Sequence, residues 1–119
     1  MYSYTNNVKL LLDICQHTTK PVSCAIFVTR EHEFRAFRIL RDLLSEDTSN
    51  LLFYNQNSIQ FKNKSRIDIL CCSESFRGMR YTFALYEKDV DEEFLHYIIY
   101  PMTVSGFAPK KFWFEEGEL

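Results

Sequence analysis

Apolar residues punctuate this chain with two distinct periods. Val8, Leu11, Leu12 and Cys15 recur at helical spacing behind Asn6 and Asn7, which serve as candidate helix caps. Thr18–Pro21 ends that helix, because proline lacks the amide needed to continue it. The run from Val22 to Val28 is apolar on both faces, the signature of a strand buried inside a sheet covered by helices. The clearest helix spans Glu31 to Glu46, with Phe37, Leu40 and Leu44, joined by Ala36 and Leu43, on one stripe. Arg35, Arg38 and Arg41 gather on its other side at i, i+3 and i+6.

Beyond a turn at Asp47, Ser49 and Asn50, the period shortens to two. Leu51–Tyr54, Ser58–Phe61 and Arg66–Cys71 are short strands, the last two joined by a hairpin turn over Lys62–Ser65. Tyr81–Tyr86 is a second buried strand. Phe94–Tyr100 fits a short helix or a strand equally, and Pro101 is expected to stop it. Helices alternating with buried strands predict an α/β layered sheet with an antiparallel hairpin added. Residues 1–105 are expected to form one domain, and 106–119 an aromatic and acidic tail packed on it.

Composition narrows the reading. The chain has 119 residues, enough for one domain with a real core, and its 16% aromatic content argues against disorder. Fourteen basic against sixteen acidic side chains give a net charge of −2, unevenly divided. Residues 1–86 carry 11 basic and 8 acidic groups (+3), and residues 87–119 carry 3 and 8 (−5). Such a split marks either a basic contact face with an acidic end or ordinary surface variation.

Cys15, Cys24, Cys71 and Cys72 contain no C-x-x-C pair, and no spacing joins them to His17, His32 or His96 as a zinc site. With no signal peptide and no membrane-spanning apolar run, they read as reduced thiols of a cytoplasmic protein that has no membrane partner. The acidic group Glu87, Asp89, Asp91, Glu92 and Glu93 lacks the glycine and spacing of a calcium loop and reads as a solvated helix start, so no metal is expected. Gly78, Gly106 and Gly117 are the only glycines, and no Gly-x-x-x-x-Gly-Lys-Ser/Thr loop occurs to cradle a triphosphate.

The segment from Asn57 to Leu70, followed by Ser73–Arg80 and an apolar strand, resembles the ATPase domain of phage terminase large subunits. That family carries a hairpin of the form I-x-F-x-N-G-S-x-I, an Arg-Gly shortly after it, and a Walker B strand ending in Asp-Glu. Ala25–Leu40 is similar to the strand and helix that follow the family's phosphate-loop helix, and the resemblance runs from about residue 8 to about residue 105. It implies a RecA-like, three-layer P-loop-type α/β fold, shortened, with its phosphate loop expected before Val8 and so missing. Asn63-Lys64 stands where the family has Asn-Gly. The magnesium-holding Asp falls on Glu87 and the catalytic Glu on Lys88, which cannot activate water at neutral pH without a large pKa shift.

The resemblance therefore implies a degenerate Walker B and neither ATP nor magnesium as a cofactor. The expected function is a catalytically inactive phage or mobile-element protein that binds another protein, as a packaging accessory or an inhibitor, in the host cytoplasm. Phe112, Trp113 and Phe114 are the candidate anchor, with folding back on the domain as the alternative. Homodimerisation through that patch or the hairpin edge is a further outcome. A second function is weak DNA binding through Arg35, Arg38, Arg41, Arg77 and Arg80, against which stands a helix face salt-bridged to Glu31, Asp42 and Glu46. A motor fragment with residual nucleotide binding is the third.

Overall fold

A computed structural model describes residues 2–44, 51–54, 57–72, 80–103 and 107–115. Among these residues, seven strands form one sheet in the order β1-β7-β6-β2-β5-β4-β3. They are β1 (Tyr2–Ser3), β2 (Ser23–Val28), β3 (Leu51–Tyr54), β4 (Ser58–Phe61), β5 (Arg66–Cys71), β6 (Phe83–Glu87) and β7 (Lys110–Trp113). The pairs β1–β7, β7–β6, β6–β2 and β2–β5 are parallel, and β4 runs antiparallel to both β5 and β3. The α/β, RecA-like architecture with its antiparallel hairpin is thus the fold found.

The central strand explains the layering. Along β2, Cys24, Ile26 and Val28 pack on one side of the sheet, and Ala25 and Phe27 on the other. This follows from the period-two alternation of a strand covered on both faces. The first side is covered by α1 (Tyr4–His17), through Val8, Leu11, Leu12 and Cys15, and by α2 (Glu33–Leu44), through Ala36, Phe37, Leu40 and Leu44. The second is covered by a helical segment made of α3 (Glu92–Phe94), a π-helical turn (Leu95–Ile99) and α4 (Tyr100–Met102). Leu95, Ile99 and Met102 face Phe27, Ala84 and Tyr86 there.

Several boundaries differ from the sequence reading. Ser3, rather than Asn6 or Asn7, caps α1, its hydroxyl accepting from the Asn6 amide; Asn7 instead donates to the Ser3 carbonyl at 2.9 Å and is buried. The second helix opens with a 3₁₀ turn (Arg30–His32) and is helical through Leu44, while its expected end at Glu46 lies outside the described residues. The ambiguous Phe94–Tyr100 stretch is helical, and Pro101 does not stop it. Pro101 lies inside the continuous helical segment, immediately after the wider π turn. Tyr81 lies outside β6 and makes a single parallel bridge to Thr103.

The β4–β5 turn takes an unusual form. Lys64 adopts φ 73°, the left-handed conformation that glycine accepts without steric penalty and that costs other residues about 1 kcal/mol. Asn63 holds the turn: its Oδ1 accepts from the Ser65 amide at 2.9 Å, and its Nδ2 donates to the Cys15 carbonyl at 2.7 Å. The hairpin is thereby tied to the end of α1.

A candidate site at the ends of the parallel strands

Ligands of parallel α/β sheets bind beyond the carboxyl ends of the strands, and there β2 and β6 bring three polar groups together. Glu87, the last residue of β6, is only 2% exposed. Its Oε2 accepts from the Thr29 amide at 3.1 Å, just past β2, and its Oε1 accepts from Nδ1 of His32. Thr29 Oγ1 lies 3.2 Å from the same ring nitrogen. Both carboxylate oxygens are therefore held by the chain itself, as a buried carboxylate requires.

Aromatic rings pack beside this group. His32 stands edge-on to Phe114, with centroids 5.4 Å apart, and Phe114 contacts Tyr4 and Phe112 at 4.9 and 5.5 Å. Tyr4 is fully buried and donates its hydroxyl to the Ala36 carbonyl of α2 at 2.7 Å. Strand β1 ends at Ser3 and α1 begins at Tyr4, so no loop residue separates them. A phosphate cradle needs several free amides at such a junction; here the Ser3 hydroxyl already caps the helix.

The sequence-derived residues are dispersed. Lys88 is exposed, and its amide donates to the Phe112 carbonyl. Phe112 is wholly buried as the core residue of β7, with Trp113 and Phe114 half-buried. Arg35 turns inward, its guanidinium 5.9 Å from the centre of the Phe114 ring. Arg38 and Arg41 are exposed, with Arg41 Nε 3.8 Å from Asp42. Arg80, on the opposite face of the sheet, donates to the Pro101 carbonyl at 3.0 Å, and Arg77 lies outside the described residues.

Sequence reasoning missed His32 as the partner of Glu87, and it missed Tyr4 and Asp68 altogether. Asp68, buried in β5, accepts from Ser58 Oγ at 2.7 Å and from the Tyr81 hydroxyl at 2.8 Å, and Arg66 Nε lies 3.1 Å away. Burial, and then the bond to Asp68, pushes the Tyr81 phenol well above its ordinary range. The Cys24 thiol is pushed up strongly by its contact with Cys15, 3.8 Å between sulfurs, and by burial. Burial, with Cys71 and Glu87 nearby, raises Cys72 to about 12. All four cysteines are free, and no group of three metal-ligating side chains occurs among the described residues. No described helix is long and apolar enough to cross a membrane.

No protein-family model and no curated protein matches the chain. Among solved structures, it is similar to the large terminase of a thermophilic bacteriophage, determined in complex with ATP-gamma-S. The TM-score is 0.62 at 16% identity, over 93% of this chain and 28% of that one. The chain thus spans little more than a quarter of the terminase's length, and what the two share is a fold: an α/β sheet of the terminase type.

Proposed function

We propose that this protein is a non-hydrolysing, terminase-like domain that acts by binding other proteins. The observation supporting the non-hydrolysing part of this reading is the state of Glu87. The residue that the resemblance sets at the magnesium-holding position has both oxygens engaged, by the Thr29 amide and by His32. A metal at Glu87 would have to compete with these two bonds inside a buried site, and the neighbouring Lys88 supplies no base to activate water. The direct β1–α1 junction adds to this reading, since it offers no cradle for phosphates.

Incubation with ATP and magnesium, with and without DNA, tests the proposal. No turnover above the protein-free blank is expected, and Glu87→Ala should leave the reading at blank level. Turnover in the parent chain that is lost in Glu87→Ala overturns it.

A further inference from the structure

The sheet's two helical coverings present surfaces of opposite character. On α2, Phe34, Arg38 and Arg41 fall at i, i+4 and i+7, which places them along one outward line. Phe34 is 75% exposed, an unusual position for a large apolar ring. Among the described residues, Glu31 and Asp42 are the exposed carboxylates flanking this line in sequence, and Asp42 lies 3.8 Å from Arg41 Nε.

On the opposite face of the sheet, Tyr97 is 77% exposed and Tyr100 is 42% exposed, with His96 stacked on Tyr100 at 5.5 Å. Asp89, Asp91, Glu92 and Glu93 lie at the start of the same segment, all exposed. Among the described residues, Lys88 stands beside Asp89 in sequence, and Arg80 is bound to the Pro101 carbonyl at the far end.

We propose that these faces bind each other in successive copies of the chain. The Phe34–Arg38–Arg41 line of one copy docks on the Tyr97–Tyr100 surface of the next, its arginines against Glu92 and Glu93. Arginine suits such a contact because its guanidinium both stacks on tyrosine and pairs with carboxylate. Exposed aromatics beside arginine are also the side chains that dominate binding energy in interfaces. The contact is head-to-tail, because the two patches differ and lie on opposite sides of the sheet. It rests on the protein-binding reading above and names one partner for it.

Sedimentation velocity of the full chain, over a concentration series reaching on the order of 100 μM, tests the contact, since small, partly polar interfaces are weak. The parent chain is expected to associate increasingly with concentration. R38E/R41E and E92R/E93R should each remain monomeric, while their equimolar mixture associates, because each variant keeps one intact face that the other can use. Tyr97→Ala, which changes no charge, should weaken association about tenfold. Circular dichroism establishes that the variants fold, as expected for exposed positions.

A parent chain that stays monomeric throughout overturns the proposal. So does association that persists in both double variants, or that their mixture fails to restore. None of these results alters the ATP turnover reading, so the two proposals fail separately.

Discussion

Two buried carboxylates sit on opposite faces of one sheet, and their surroundings differ in kind. Glu87 closes β6 on the α1–α2 side, where its partners are a backbone amide and an imidazole from the segment just beyond β2. Asp68 lies within β5 on the other side and binds two hydroxyls, one from β4 and one from the approach to β6, with Arg66 alongside. The first links two strand ends at the place where such folds hold ligands. The second joins the antiparallel hairpin to the parallel part of the sheet. A buried carboxylate is therefore a poor indicator of chemistry until its partners are known.

The comparison predicts unequal costs. Asp68→Ala removes the acceptor of the buried Tyr81 hydroxyl and of Ser58, and leaves Arg66 without its ion-pair partner. We expect a loss of about 3 kcal/mol, read from urea unfolding midpoints. Glu87→Ala strands fewer groups, because His32 is partly exposed and can turn to water. Its expected cost is about 2 kcal/mol. A double-mutant cycle with His32→Ala should give a coupling of about 1 kcal/mol; a value near zero would show that the pair contributes nothing to stability. If Glu87→Ala proves the more costly of the two, the ranking drawn here is inverted.

The smallest effect is in alkali. Tyr81, Cys24, Cys72 and Tyr86 all have acidities weakened by the fold, burial being the largest cause for Tyr81, Cys72 and Tyr86 and the Cys15 contact for Cys24. Their folded pKa values are raised, so the unfolded chain loses these protons first. Their contribution is complete below the ordinary thiol and phenol values and falls as pH rises beyond them. The contribution of these four groups should be level through neutrality and decline from about pH 9 upward. Tyr81→Phe should flatten part of that decline, and unchanged alkaline behaviour in this variant would detach Tyr81 from it.

Much of the fold was legible because it depends on periodicity. The two-sided apolar run of β2, the alternation in β4 and β5, and the Phe37–Leu40–Leu44 stripe each identify an element from its own residues. Glu87 was legible through the resemblance, which set the magnesium-holding position at the end of an apolar strand; its charge alone read as a solvated helix start. His32 was not legible, because it meets Glu87 across 55 positions and no local period encodes such a meeting. Asp68 was hidden for a related reason: it stands at a polar position of an alternating strand, which reads as solvent-facing until a second layer covers it. The helix start failed differently. Ser3, Asn6 and Asn7 are all good caps, and the choice fell to Ser3 because Asn7 is buried against the first turn. Pro101 misled because the helix widens to a π turn immediately before it, a local departure that the apolar spacing does not announce.

The position of β7 bears on how the molecule assembles. This strand, which follows β6 in sequence, lies between β1 and β6, with Tyr2 opposite Phe112 and Tyr86 opposite Lys111. During synthesis β6 keeps an unpaired edge, and Tyr4 lacks the Phe112 ring against which it packs, until β7 has left the ribosome. Pairings of such high sequence separation form slowly, and open edges invite pairing with other chains in the interval. The nascent protein is thus most exposed to misassembly between the emergence of β6 and that of β7.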